Sequence, residues 1–492
     1  MTDAATRSTD RPFERPPILD AIESDADSAV GRAFVEVIAS YLAETRDRET
    51  RVSTRHTPGE IAARFDEPLP RDGRPIDAIV DRIRRDVIAE SNHLWHPRYV
   101  GHQNSGPLPA AIWTESVTAA LNQSIAVFEM SPVGTILEHR VISWMCELVG
   151  FPKGAGGTFT SGGTEATFTA LLAARGASMP NAWSDGVGAD PPTLLCGEHA
   201  HYAVTRAAAQ LGLGMRNVRA ISSRGYAMDP SALERALDEL ARDTRRVMAV
   251  VATAGSTATG SFDDIDTIAS LCDARGIWLH VDAAHGGSAL WSAKHKHRLS
   301  GIGRARSVAW DTHKMMLMPS QAGMLLVRDE GDLEAAFSQR APYLFHEARG
   351  ERAWDQGTRS FMCTRRADVL KVWVGLERYG AAGMEQLYDY FCSLARCVYD
   401  EISARPDFEA LHEPEGNILC FRYVGDGSRS DAQLDDLNRR IRERFNASGE
   451  GWITATNLNG RRVLRVTMMN PRTTEDDVKA ILDGLAACAR SI

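Results

Sequence analysis

Five short apolar runs, TLLCG (193–197), RVMAVVATAG (246–255), WLHVDAA (278–284), SVAWD (307–311) and AGMLLVRD (322–329), recur with helix-forming segments between them. A strand that is apolar along its whole length is buried on both faces. A helix-length crossover between successive strands makes their pairing parallel. The alternation predicts an α/β fold with a mainly parallel sheet covered by helices on both sides, over about residues 96–388. Ligands of such sheets bind beyond the carboxyl ends of the strands, so the residues that close each run are the first candidates for chemistry.

The flanks read differently. Residues 1–95 begin with a polar, proline-containing tail and continue with helical spacing in DSAVGRAFVEVIASYLAETRD and PIDAIVDRIRRDVIAESNHL, with little strand signal. They have too few long apolar runs for a core of their own, so a helical arm that packs on another subunit is expected. Residues 389–492 follow a long helical stretch. There GNILCFRYVG, a helix near 431–448, RRVLRVTMMNP and a last helix predict a small α+β domain. A chain of 492 residues has room for these parts. Its net charge of -9, with no basic block, argues against nucleic acid or an anionic membrane as the main partner. The N-terminus lacks an apolar signal core, and no window approaches the roughly 18 uncharged apolar residues of a membrane span. Eight cysteines scattered through apolar segments, with no CxxC pair, read as buried thiols in a reducing cytoplasm.

Four stretches carry chemistry. In GAGGTFTSGGTEATFTALLAAR (154–175) a glycine-rich turn runs through Ser161, Gly162, Gly163 and Thr164 into a helix, which makes either a capped helix start or a cradle for phosphate. It matches neither GxxxxGK[ST] nor GxGxxG, so a nucleotide is not favoured. WLHVDAAHGG ends a strand in Asp282, which either caps the next turn or faces a cationic group such as a protonated pyridine nitrogen. The small Ala283, Ala284, Gly286 and Gly287 leave room for a flat ring. In EHAHYAV, His201 opens a helix, where it can cap, stack on an aromatic ligand or handle a proton. The pairs His199/His201, His93/His96 and His295/His297 invite a metal, but none has the acidic or cysteine company that a site needs.

The fourth is SVAWDTHKMMLMPS, where Lys314 stands in an apolar run just past a strand end. A buried ammonium requires a partner, a shifted pKa or a covalent role. A Schiff-base lysine, a carboxylate for a pyridine nitrogen, an aromatic stacker and a phosphate turn together describe a site for pyridoxal 5'-phosphate.

In that order, TSGGTEAT, AHYAV, ATAGSTATGSFDDI, HVDAAHGG and DTHKMM resemble the group II pyridoxal-phosphate-dependent amino-acid decarboxylases, from about residue 96 to 474. The resemblance implies a fold-type I, aspartate-aminotransferase-like architecture with a seven-stranded sheet, and a homodimer with active sites at the subunit interface. It makes Lys314 the lysine that carries the cofactor, Asp282 the pyridine-nitrogen partner and His201 the ring stacker. Ser161, Gly162, Gly163 and Thr164 hold phosphate, Thr253 and Ala284 pack on the ring, and His313 sits on the phosphate or substrate side. Arg465, in RRVLRVTMMNP, matches the arginine that receives the substrate α-carboxylate. His102 and Gln103 fall in a substrate-binding segment, and Tyr343 lies in a loop that carries a tyrosine proton donor.

The expected reaction is decarboxylation of an L-amino acid to its amine. VFEMSPVGTILE and PYLFHEARGERAWDQG look closer to the glutamate and cysteine sulfinate members, which points to glutamate, aspartate or cysteine sulfinate as substrate. HQNSGP and DTHK depart from the NQLSTG and NPHK of the glutamate enzymes. That leaves diaminobutyrate, a small aliphatic amino acid, or an aldehyde-forming or lyase reaction as alternatives, with a non-catalytic cofactor-binding protein last.

Overall fold

The apolar runs form strands buried on both faces. The computed structural model describes residues 16–337 and 354–492. Its strands begin with β1 (Gly156–Thr160), β2 (Thr193–Gly197), β3 (Val218–Ile221), a hairpin of β4 (Ser223–Arg224) and β5 (Ala227–Met228), β6 (Val247–Thr253), β7 (Trp278–Asp282), β8 (Ser307–Asp311) and β9 (Gly323–Val327). Seven of them make one sheet of order β1-β9-β8-β7-β6-β2-β3. The pairings from β3 through β2, β6 and β7 to β8 are parallel, and β9 runs antiparallel to both β8 and β1.

β1 lies in the stretch that the sequence presents as a glycine-rich turn. Packing explains Gly157: a Cβ there would stand 2.2 Å from the Leu325 carbonyl oxygen of β9. The helix Gly163–Ser178 follows directly and packs on β7, β8 and β9, burying Ala166, Ala170 and Leu171. Register then fixes the site, because Thr253 is paired with Asp282 and Asp282 with Ala309. The carboxyl ends of β6, β7 and β8 therefore finish side by side.

The C-terminal part has a four-stranded antiparallel sheet of order β10-β11-β13-β12, formed by β10 (Phe408–Ala410), β11 (Ile418–Tyr423), β12 (Thr454–Leu458) and β13 (Arg461–Thr467). The helices Asp431–Ser448 and Glu475–Arg490 accompany it. The helix Val369–Ser403, broken at Gly380, serves two cores. Val369, Val372 and Phe391 join the core of the large sheet, and Leu394, Val398 and Ile402 join that of the small one.

The first arm helix, Ile18–Asp25, buries no residue, and the second, Ser28–Glu44, buries only Val37. No helix among the described residues is long and apolar enough to cross a membrane. The expectation of buried thiols holds for Cys146, Cys196, Cys272, Cys392 and Cys420. Cys363 is exposed, and Cys397 and Cys488 are half-buried.

Two buried histidines give the fold a pH dependence. Burial pushes His280, in β7, down to about 4 and His285, just beyond β7, down to about 3. Both are neutral in the folded chain at neutral pH, whereas in the unfolded chain they take up a proton near 6.5. Stability is therefore fully present above that value and falls as the pH drops through the window below it. Between pH 6.5 and about 5 each is expected to remove about 2 kcal/mol. Chemical denaturation at the two pH values measures this, and equal midpoints would contradict it.

Candidate active site

Asp282 closes β7 and is buried, with Oδ1 accepting the N–H of Ala284 at 3.2 Å. Burial pushes its carboxyl group up, and the nearby charge of Lys314 opposes that shift. A carboxylate in this position calls for a further cationic partner. Lys314 stands in the turn after β8, with Nζ 3.3 Å from Oδ2 of Asp311, the last residue of that strand. This counter-ion is missing from the sequence reading. The signal for it is that SVAWD ends in a carboxylate just as WLHVD does.

The remaining groups come from neighbouring turns. Ser161 and Gly162 link β1 to the helix Gly163–Ser178, whose first N–H groups lack intrahelical partners. Glu165 folds back to accept the Ser161 N–H at 2.8 Å. A Cβ on Gly163 would lie 2.7 Å from the Ala284 Cβ and 3.2 Å from Asp311 Oδ2, so only glycine lets the helix start approach this closely. His201 lies just beyond β2, and its Nδ1 accepts the N–H of Ala203 at 3.3 Å. Neutral His201 therefore carries its hydrogen on Nε2, and burial favours the neutral form. Thr253 ends β6 with a buried Oγ1 that has no partner among the described residues. His313 donates from Nδ1 to the Ala322 carbonyl at 2.7 Å, and its Nε2 is 3.7 Å from Asp311.

These groups surround one cavity of about 480 Å3. Gln103, Ser161, Gly162, Gly163, Thr164 and His201 line it, as do Thr253, Asp282, Ala284, His313 and Lys314. His102 and Arg465 do not. They line an adjoining hollow, and Thr257 forms a wall of both. Tyr343 lies outside the described residues.

The profile of the pyridoxal-dependent decarboxylase conserved domain matches residues 58–424. The chain belongs to this family. An acidic amino acid decarboxylase of Homo sapiens, GADL1, is 31% identical over 474 residues, which covers 93% of this chain and 91% of the relative. The L-2,4-diaminobutyrate decarboxylase of Rhizobium meliloti is 34% identical over 428 residues, 87% of this chain and 84% of the relative. The crystal structure of mouse CSAD superposes with a TM-score of 0.88 at 31% identity, covering 94% of this chain and 99% of that one.

The protein is thus a carboxy-lyase that uses pyridoxal 5'-phosphate, and the cavity fits that group. It offers a buried carboxylate, a lysine, an orphaned threonine hydroxyl and a helix start that a single Cβ would fill. Gly163→Ala is expected to raise the cofactor's dissociation constant about tenfold by forcing that helix start away from Ala284. Titrating apoenzyme with cofactor measures the effect.

Sequence reasoning also missed His285, which lines the same cavity. Its Nε2 is 2.7 Å from Oδ1 of Asn417, whose Nδ2 donates to the Met468 carbonyl at 3.1 Å. Asn417 must therefore accept, so Nε2 bears the hydrogen and Nδ1 is a buried acceptor without a partner among the described residues. The two residues are 132 positions apart, and no local pattern announces the contact.

Proposed function

We propose that the enzyme decarboxylates an L-amino acid with an acidic side chain, of the glutamate, aspartate or cysteine sulfinate type, to the corresponding amine. The observation that carries this reading is Arg465, buried beside the cofactor cavity. Among the described residues its guanidinium makes one hydrogen bond, from Nη1 to the Thr257 carbonyl at 2.5 Å, and its Nε has no partner. A guanidinium left this way suits a carboxylate or sulfinate and repels the ammonium of a diaminobutyrate side chain. The human relative's name points the same way.

When bound, the cofactor takes up the electron pair released as the bond from Cα to the carboxylate breaks. The rest falls to side chains. Lys314 would hold the cofactor covalently, and Asp311, 3.3 Å from Nζ, orients its amine. Asp282 keeps a proton on the ring nitrogen. Ser161, Gly162, Gly163 and Thr164 hold the phosphate, His313 flanks it, and Thr253 and Ala284 support the ring. His201 would stack on the ring, with Nε2–H left free to serve as a proton donor by the Ala203 N–H that its Nδ1 accepts. It shares the role of proton donor with Tyr343 as the alternative, and Gln103 and His102 border the substrate.

The same reading makes the protein a cytoplasmic homodimer. Ile18, Ile22, Phe34 and Val35 on the arm, and Trp113, Val117, Leu121, Val133 and Ile136 on two further helices, leave large apolar side chains exposed, which a second copy would cover.

A screen of L-amino acids for CO2 release with identification of the amine tests the proposal. An acidic substrate is expected to exceed 2,4-diaminobutyrate by about a hundredfold or more in kcat/KM. Preference for diaminobutyrate would reverse the substrate assignment, and aldehyde with ammonia as products would replace simple decarboxylation by an oxidative reaction.

A further inference from the structure

Asp311 closes β8, is buried, and lines the cofactor cavity together with Ser161, Gly162, Gly163 and Thr164. A Cβ on Gly163 would stand 3.2 Å from its Oδ2, and one on Gly162 would stand 3.9 Å from either oxygen. The carboxylate therefore meets the glycine turn at contact distance. Two other buried carboxylates in this chain are held by the backbone. Asp263 accepts the N–H groups of Met228 and Thr253, each at 2.7 Å, and Asp282 accepts that of Ala284. Asp311 differs, because its Oδ1 has no hydrogen-bond partner among the described residues. Its Oδ2 has ion-pair contacts with Lys314 at 3.3 Å and His313 at 3.7 Å.

The other charged groups around Asp311 do not relieve it. Burial pushes the carboxyl group of Asp282 up, and the charge of Asp311 adds to that push. His201, on the far side, is kept neutral by burial against the pull of Asp282 and Asp311. Glu165, from the helix start, is turned to the Ser161 N–H. A phosphate monoester brings about two more negative charges at neutral pH. Held at 161–164, it sets like charges side by side around one ammonium, and a neighbouring anion disfavours the charged form of a buried carboxyl group. A neutral carboxyl group ends the conflict and supplies an O–H donor.

We propose that Asp311 is a phosphate-binding residue that acts in its neutral form, so that the cofactor phosphate brings one proton into the site from solution. The proton adds to a carboxylate oxygen, and the O–H so formed donates to a phosphate oxygen. No bond of the phosphate is made or broken. This rests on the placement of the phosphate at 161–164 in the reading above.

The test titrates apoenzyme in a calorimeter with pyridoxine 5'-phosphate, which carries the phosphate but no aldehyde to bond Lys314. Runs at about pH 8, where the free phosphate has lost its second proton, in buffers of different ionisation enthalpy count the protons taken up. Wild type is expected to take up about one proton per site more than Asp311→Asn, whose amide donates without acquiring one. Between about pH 7 and 8.5 the wild-type Kd should rise about tenfold per pH unit relative to that of the variant. Absence of uptake in wild type would overturn the proposal, and that measurement needs no variant to fold. Uptake undiminished in Asp311→Asn would overturn it too, by placing the proton on His313 or on the phosphate itself. Gly163→Ala tests the underlying placement. An unchanged Kd for pyridoxine 5'-phosphate in that variant would take the phosphate out of the turn and the proposal with it. A raised Kd there, with no proton uptake in wild type, would remove the role of Asp311 alone.

Discussion

Lys314→Ala is expected to abolish the absorption band of the lysine-linked cofactor and to lower the decarboxylation rate about 10^4-fold. Lys314 is the lysine that lines the cavity, so the covalent attachment has no substitute among the described lining residues. The loss of the amine also strips Asp311 of its partner at 3.3 Å and leaves His313, at 3.7 Å, as the nearest cationic candidate. A small primary amine added to the medium can then take up part of the missing role, so partial recovery with methylamine is expected. Spectra and CO2 release measured together check both effects. A variant that kept the band, or activity within about tenfold of wild type, would remove Lys314 from the position assigned to it.

Asp282→Asn is expected to cost about 10^3-fold in kcat while leaving the cofactor bound. The amide keeps the volume of the carboxylate and can still accept the Ala284 N–H through its oxygen, so the end of β7 should hold its shape. What it removes is the negative charge proposed to keep a proton on the ring nitrogen, which would let the ring accept electrons. The band of the lysine-linked cofactor should therefore persist, separating this variant from Lys314→Ala. Single-turnover rates against wild type make the measurement, and a kcat within about threefold would mean that Asp282 caps its turn and does no more.

Much of this was legible in the chain because the groups proposed to meet the cofactor sit in short stretches at strand ends. TLLCG, WLHVD and SVAWD announce buried strands through their composition, and the residues next to them inherit a known place. β1 was hidden for a physical reason. Gly157 lets the Leu325 carbonyl approach and Gly156 lies against the Glu330 side chain, and a strand written GGTFT looks like a turn. β10 and β12 escaped because an antiparallel strand of a small domain, with one face open, lacks the continuous apolar run. The substrate side was least legible. His102 and Arg465, 363 positions apart, line one hollow, and the pairing of His285 with Asn417 likewise exists only after two cores have docked.

Division of the site between two cores has an evolutionary consequence. The groups proposed to hold and drive the cofactor lie at the strand ends of the large sheet, whereas Arg465, proposed to meet the substrate's acid group, lies on β13 of the small sheet. On that assignment, mutations around Arg465 leave the cofactor groups untouched, so substrate range could drift without passing through a dead enzyme. A chimera carrying the small domain of a relative with a different substrate should inherit that relative's preference, provided the hydrogen bond between His285 and Asn417 is kept at the seam.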